Sequence, residues 1–204
     1  MIQQSFEFVE SPSYAAEDFI ITNSNQLAFA KIASWPGGWR HAIYPYFLLI
    51  HGQKHCGKTH LANIWRQQTL ASFVFNHQVL LPEEPRQNLI IEDIDNPNWC
   101  ETSLFHLFNF CHEMKIYCLF TSSSFPVKFQ LPDLASRLNS IDTIKISQPD
   151  LETIKIFIGK EFSKKSLQVE QKVIELLAEV IPLNFHLATR AVNLLNQESL
   201  ACNK

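Results

Sequence analysis

Short, uniformly apolar runs alternate along this chain with stretches whose apolar residues recur every three or four positions. The first pattern predicts buried strands, the second helices with one buried face. Tyr46–His51, Ser72–Phe75, Asn88–Ile94, Ile116–Phe120 and Thr143–Ile146 have strand length and content. His60–Gln68 has helical spacing, as does 101–114, whose apolar face is Leu104, Leu107, Phe108, Cys111 and Met114. An earlier helix is expected to begin at Asn23 or Ser24 and run to Ala33, where Trp35-Pro-Gly-Gly38 stops it. Alternating strands and helices predict a mostly parallel sheet covered on both faces. After Pro149 the strands cease, and three helices are expected near 150–162, 168–180 and 184–197. Residues 1–18 show no period and read as an extended arm. The division expected is an arm over 1–14, an α/β core over 15–148 and a small all-helical subdomain over 149–204.

Between the first strand and its helix stands Gly52-Gln-Lys-His-Cys-Gly-Lys-Thr59, a complete G-x4-G-K-T phosphate-binding loop in the strand–loop–helix setting the motif requires. Its backbone N–H groups and the helix N-terminus offer partial positive charge to an anion. Gly52, Lys54, His55, Cys56, Gly57, Lys58, Thr59 and His60 are therefore candidate nucleotide contacts. Lys58 is expected at the β/γ-phosphates, and the Thr59 hydroxyl on Mg²⁺. The fold implied is a three-layer P-loop NTPase, with ADP or ATP and Mg²⁺ as ligands.

Hydrolysis asks for acids as well. Glu92 and Asp93 end an apolar run where a parallel strand's carboxyl end meets a nucleotide crevice. By position Glu92 is the metal-side acid, with Thr59, and Asp93 the water-side acid; Asp95 is set aside as an ordinary surface acid. Thr121-Ser-Ser-Ser124 follows another strand, and Ser123 is the expected contact there, against the alternative of a serine-rich turn before Pro126. Arg137 is a candidate to stabilise phosphoryl-transfer charge. Cys56, near a helix N-terminus, invites a redox reading, which is weighed against a plain structural thiol.

Composition narrows this picture. With 204 residues, 46% of them hydrophobic, the chain has material for one core and a small appended subdomain. Its net charge of −3 is a poor match to a dedicated DNA-binding domain. The five cysteines, Cys56, Cys100, Cys111, Cys118 and Cys202, contain no C-x-x-C, so reduced thiols are expected rather than disulfides or zinc. The histidines show no metal-ligand spacing. No leader pattern opens the chain and no apolar run approaches membrane-spanning length, so the expected location is the cytoplasm, away from the membrane.

Several segments together resemble the DnaA-type AAA+ ATPases. Glu17–Ala28 looks like that family's opening box, which lies against adenine and ribose and implies contacts from Phe19, Ile20, Ile21 and Asn25. Gly52–Leu61 is similar to its Walker A stretch, Leu89–Ile94 to Walker B, and Leu119–Pro126 to sensor 1. Leu134-Ala-Ser-Arg-Leu138 is similar to the box that carries the arginine finger, Arg137. Ser34-Trp-Pro, His60-Leu-Ala-Asn-Ile-Trp65, Leu104-Phe-His-Leu107 and Leu131–Leu138 resemble the short Hda-type regulators, in their alphaproteobacterial form. That branch opens with a peptide for the sliding clamp (the β subunit of DNA polymerase III). Gln3-Gln-Ser-Phe-Glu-Phe8 fits the spacing, with Gln3, Phe6 and Phe8 as anchors.

Two positions depart from the family. Glu92 stands where Asp is usual, and His186, in Asn184-Phe-His186, stands at sensor 2 where the family has arginine. A neutral histidine lacks the permanent guanidinium charge, so weak intrinsic ATP hydrolysis is expected, with Arg190 a turn further on as the only evident substitute. The resemblance thus implies a nucleotide-bound, clamp-associated regulator of replication initiation. It would promote hydrolysis of ATP bound to the initiator DnaA, meet DNA only through the clamp, and have a homodimer as one possible state. The competing readings are an autonomous AAA+ NTPase, such as a helicase loader or DNA-dependent ATPase, and a nucleotide kinase.

Overall fold

The computed structural model describes residues 14–75 and 87–201. The proposed clamp anchors Gln3, Phe6 and Phe8, together with Cys202, lie outside the described residues. A single 3-10 turn, Ala16–Asp18, precedes helix α1, Gln26–Ala33, so 14–18 is not a simple extended arm. Then follow β1 (Phe47–His51), α2 (Lys58–Thr69), β2 (Ser72–Val74), β3 (Leu89–Ile91) and α3 (Glu101–Glu113). β4 (Cys118–Ser122), α4 (Pro132–Leu138) and β5 (Asp142–Lys145) complete the core, and α5 (Leu151–Lys164), α6 (Gln171–Val180) and α7 (Phe185–Ala201) form the helical subdomain.

The five strands form one parallel sheet in the order β2-β3-β4-β1-β5. β1 sits between β4 and β5, its neighbours in space but not in sequence. The ends of β1, β3 and β4 therefore open side by side on one edge, where a doubly covered parallel sheet binds its ligand.

Period-two alternation sorts the strand residues between two layers. Phe47, Leu49, Leu89, Ile91, Cys118 and Phe120 face α3 and α4, against Leu104, Leu107, Phe108, Leu134 and Leu138. Leu48, Ile50, Ile90 and Leu119 face α1 and α2, against Ala28, Ile32, Leu61, Ile64 and Trp65. Trp65 is fully buried, stacked on Trp39 at 5.1 Å and edge-on to Trp35 at 6.2 Å. The helical subdomain has a core of its own, built on Ile154, Ile158, Phe162, Ala178, Ala188 and Val192. The outcome is a three-layer α/β domain with an all-helical appendage. Among the described residues no helix is long and apolar enough to cross a membrane.

Other elements also differ from the sequence expectation: the run 88–94 is a strand only over Leu89–Ile91, its acids lying beyond the ladder. The strand read at 116–120 is shifted to Cys118–Ser122, because Thr121 and Ser122 are fully buried and belong to the ladder beside Ile50 and His51. Helix α4 was not anticipated as an element. Pro132 opens it, where a missing N–H costs nothing, and Leu134 and Leu138 supply its buried face.

Asp150 caps α5, accepting from the Thr153 amide at 2.8 Å and the Thr153 hydroxyl at 2.6 Å. These bonds hold its carboxyl below the ordinary range. A depressed folded-state pKa means that the contribution is full above the unfolded value, about 3.9, and lost as pH falls through the folded value. Asp150→Ala should therefore lower the melting temperature at pH 7, and the gap to the parent should close in acid. Parallel melting temperatures at both pH values would contradict the cap.

Candidate nucleotide-binding site

The loop between β1 and α2 is shaped by two glycines. A Cβ on Gly52 would stand 2.3 Å from the Ile146 carbonyl oxygen and 3.0 Å from Cys56 Sγ, so only glycine lets the chain pass beneath the end of β5. Gly57 has φ of 107°, in the left-handed region, and as N-cap of α2 makes no side-chain cap bond. The first amides of a helix have no intrahelical acceptor, so this uncapped end is suited to an anion. His55, at φ of 63°, is also left-handed and turns outward. Lys58 is 5% exposed, and its Nζ donates to the carbonyls of Gly52 at 2.8 Å and Gln53 at 3.0 Å.

The acids follow β3 directly. Asp93, at φ of 47°, donates its amide to Thr121 Oγ1 at 2.9 Å, which ties the end of β3 to buried β4. The Glu92 carbonyl accepts from Trp99 Nε1 at 3.1 Å. Burial pushes the Glu92 carboxyl above its ordinary range and neighbouring Asp93 adds to the rise, while the Thr59 hydroxyl and Lys58 pull the other way. Glu92 Oε1 is buried without a hydrogen-bond partner. A buried carboxyl oxygen left orphaned beside a threonine hydroxyl fits a divalent cation or its water.

Above the loop lies a cleft of about 820 Å³, bounded by the segment 14–25, the loop and the helical subdomain. Its N-terminal wall is held by Asn25, which donates to the Ile20 carbonyl and accepts from the Thr22 amide, each at 2.9 Å. Phe19 packs edge-on to His60 at 5.1 Å and stacks with Phe29 at 5.7 Å. Phe157, Phe185, Thr189 and Asn193 close the far wall from α5 and α7. Asp18 clasps the two walls together, 3.1 Å from Lys160 Nζ and 3.3 Å from Lys164 Nζ. One end of the cleft is thus aromatic and polar-edged, the other cationic, with Asp93 on its wall and Glu92 behind it beside Thr59. That is the chemistry of a nucleotide with its cation.

No family model matches the chain. In sequence it is similar to the chromosomal replication initiator protein DnaA of Caldanaerobacter subterraneus, 25% identical, with 85% of this chain and 45% of that protein covered. The DnaA of Flavobacterium psychrophilum is 27% identical, with 84% and 42% covered. The chain spans under half the length of these relatives. In structure it is similar to domain III of DnaA from Thermotoga maritima, with a TM-score of 0.76, 24% identity, and 95% of this chain and 92% of that one covered. The chain carries a DnaA-like AAA+ domain. AMPPCP-bound DnaA from Aquifex aeolicus shares the fold, with a TM-score of 0.70, 18% identity, and 91% and 66% covered.

Within this DnaA-like domain the cleft is lined by Phe19, Ile20, Asn25, Lys54, His55, Gly57, Lys58, Thr59, His60, Asp93 and His186 from the sequence candidates. Glu92 stands beside Thr59. Glu92 itself does not line the cleft, nor do Arg137 and four further candidates. Ile21 is 52% exposed, Gly52 passes under β5, Cys56 is buried, and the Ser123 amide donates to both carboxylate oxygens of Asp95, at 3.1 and 3.0 Å. Asp95, set aside from sequence, is thus a structural acceptor that holds the turn after β4. Burial pushes the Cys56 thiol up, which removes the basis for a redox role. Burial likewise lowers His60, whose Nε2 lies 2.9 Å from the Ala15 carbonyl oxygen. Arg137 lines a separate surface pocket with Tyr44, Asp133 and Ser136, its guanidinium 5.2 Å over the Phe105 ring. Arg190 is exposed and not part of the cleft.

Thr121, the hydroxyl that locates Asp93, carries no local signal that sets it apart from the three serines that follow it. The far wall was missed as well, since helical periodicity reports which face of α5 and α7 meets their own core and not which meets the cleft. The His55–His186 contact, rings stacked at 4.9 Å and 19°, joins residues 131 positions apart and carried no local signal.

Proposed function

We propose that this chain is a nucleotide-bound AAA+ adaptor that controls replication initiation by promoting hydrolysis of the ATP held by the initiator DnaA, while tethered to the sliding clamp through Gln3, Phe6 and Phe8. Loop amides and Lys58 hold the phosphates of ADP or ATP. Thr59 and Glu92 hold Mg²⁺, which screens phosphate charge when bound, and Asp93 orients water. The observation that carries the adaptor reading is the separation of Arg137 from the chain's own cleft. The two pockets share no lining residue, and the arginine lies at the surface against Phe105. An arginine so presented meets a neighbour's phosphates rather than its own. No arginine lines the cleft among the described residues, which accords with weak turnover by this chain alone.

The test compares conversion of initiator-bound ATP to ADP, on DNA-loaded clamp, by the parent and by Arg137→Ala. The substitution should cut the stimulation on the order of tenfold or more, since a finger supplies charge only in the transition state. Nucleotide and clamp binding should persist. Undiminished stimulation by the variant would remove the finger assignment. A second reading, an autonomous AAA+ NTPase, draws on the two acids after β3, Asp93 located by its amide bond to Thr121 and Glu92 beside Thr59, and it predicts rapid hydrolysis by the isolated chain.

A further inference from the structure

Arg137 stands near the end of α4, a helix of only seven residues. A helix that short has little stability of its own, so contacts from outside decide where its side chains stand. Leu134 and Leu138 bury its inner face. Its N-cap residue, Leu131, has no side-chain acceptor to offer, and Pro132 follows. The acceptor comes instead from α3. Glu101 takes the Gln130 amide on Oε1 at 3.0 Å and the Leu131 amide on Oε2 at 2.7 Å. At the far end of α4, Asn139 exchanges two bonds with the Val127 backbone, at 2.8 and 2.9 Å.

We propose that Glu101 is a positioning residue for Arg137: by fixing the start of α4 from α3, it sets where the guanidinium is presented to a partner's phosphates. This rests on the finger reading of Arg137 and names a residue on which the finger's placement depends.

Hydrogen bonds from amides to a carboxylate are shorter and stronger than neutral ones, and two of them fix a direction as well as a distance. Glu101 and Phe105 lie four residues apart on α3 and so share one face. The Phe105 ring lies 5.2 Å from the Arg137 guanidinium. One helix therefore holds both the start of α4 and the arginine near its end, and slippage of α4 against α3 would disturb both contacts. The manner of holding suits a finger. A ring face attracts the cation without occupying its N–H groups, which stay available to an anion. Among the described residues no carboxylate pairs with Arg137. An acid placed directly on the guanidinium would anchor it but also neutralise it. Glu101 avoids this by acting through the main chain. It lines neither the cleft nor the pocket beside Arg137 and belongs to no hydrophobic cluster, so its influence passes through α4.

The test follows ATP preloaded on the initiator, on DNA-loaded clamp, with each protein titrated to saturation. The proteins are the parent, Glu101→Ala, Glu101→Gln, Arg137→Ala and the double variant Glu101→Ala/Arg137→Ala. Glu101→Ala should lower the saturating rate about tenfold with the half-saturating concentration unchanged, since misplacing a group by about 1 Å can cost a hundredfold. Glu101→Gln keeps one acceptor oxygen and should lose less. Without Arg137 the Glu101→Ala change should cost nothing further, because residues that act as a unit do not add. The Nε–H proton resonance of Arg137, shifted by the Phe105 ring, should move toward its free value in Glu101→Ala. An unchanged rate, a loss that persists in full without Arg137, or a loss seen only as a raised half-saturating concentration would overturn the positioning role. A parent that does not speed the conversion, or an Arg137→Ala variant that matches it, would instead overturn the finger reading and Glu101's role with it.

Discussion

Replacing Lys58 with alanine should weaken ATP and ADP binding by about tenfold or more, on the order of 1.4 kcal/mol at the least. The Lys58 ammonium is the cation that the loop itself holds, pinned by the Gly52 and Gln53 carbonyls at the start of α2. Nothing else in the cleft is anchored in that way. Lys54 is exposed, and Lys164 is committed to Asp18 and Glu161. The side chain lies outside the three hydrophobic clusters, so the fold should survive its loss. Calorimetric titration of parent and variant, paired with thermal melts, separates the effects. Equal affinities would reject the assignment of the loop.

The largest effect on stability should come from Trp65→Ala. This indole is fully buried between Trp39 and Trp35 on the helix that carries Lys58 and Thr59. Truncating such a side chain costs about 3–5 kcal/mol through lost burial and the cavity left behind. For a domain of this size that is a fall in melting temperature of roughly 10 °C. Trp65→Phe should cost much less, for a reason beyond volume. The Trp65 Nε1 is buried with no hydrogen-bond partner, so removing it breaks no bond and lifts a desolvation penalty. Similar losses for the two variants would contradict this account of the core.

The sheet was legible because its strands are covered on both faces, which leaves uninterrupted apolar runs such as Phe47–Ile50 and Leu89–Ile91. The same logic explains the misjudged fourth strand. Thr121 and Ser122 look like loop residues, but each is satisfied internally, Thr121 by the Asp93 amide and Ser122 by the Ser124 carbonyl. Buried hydroxyls of this kind break the apolar run without ending the strand. Helix α4 was within reach, since Pro132 followed by Leu134 and Leu138 is a start signal with helical spacing. The phosphate loop could be recognised because its motif lies in eight consecutive residues, although Gly52 and Cys56 within it face β5 and the interior rather than the cleft. The rest of the cleft could not. Asp18 meeting Lys160 and Lys164, and His55 meeting His186, depend on how the helical subdomain closes over the core, and no periodicity encodes that contact.

The adaptor proposed above would act on the nucleotide of a partner more than on its own. The most direct measurement follows ATP preloaded on the initiator, on clamp-bearing DNA, with and without this protein, beside the protein's own turnover in isolation. Slow hydrolysis by the protein alone and faster loss of initiator-bound ATP when it is added are expected. Rapid hydrolysis by the isolated protein, with initiator-bound ATP unaffected, would contradict the adaptor reading.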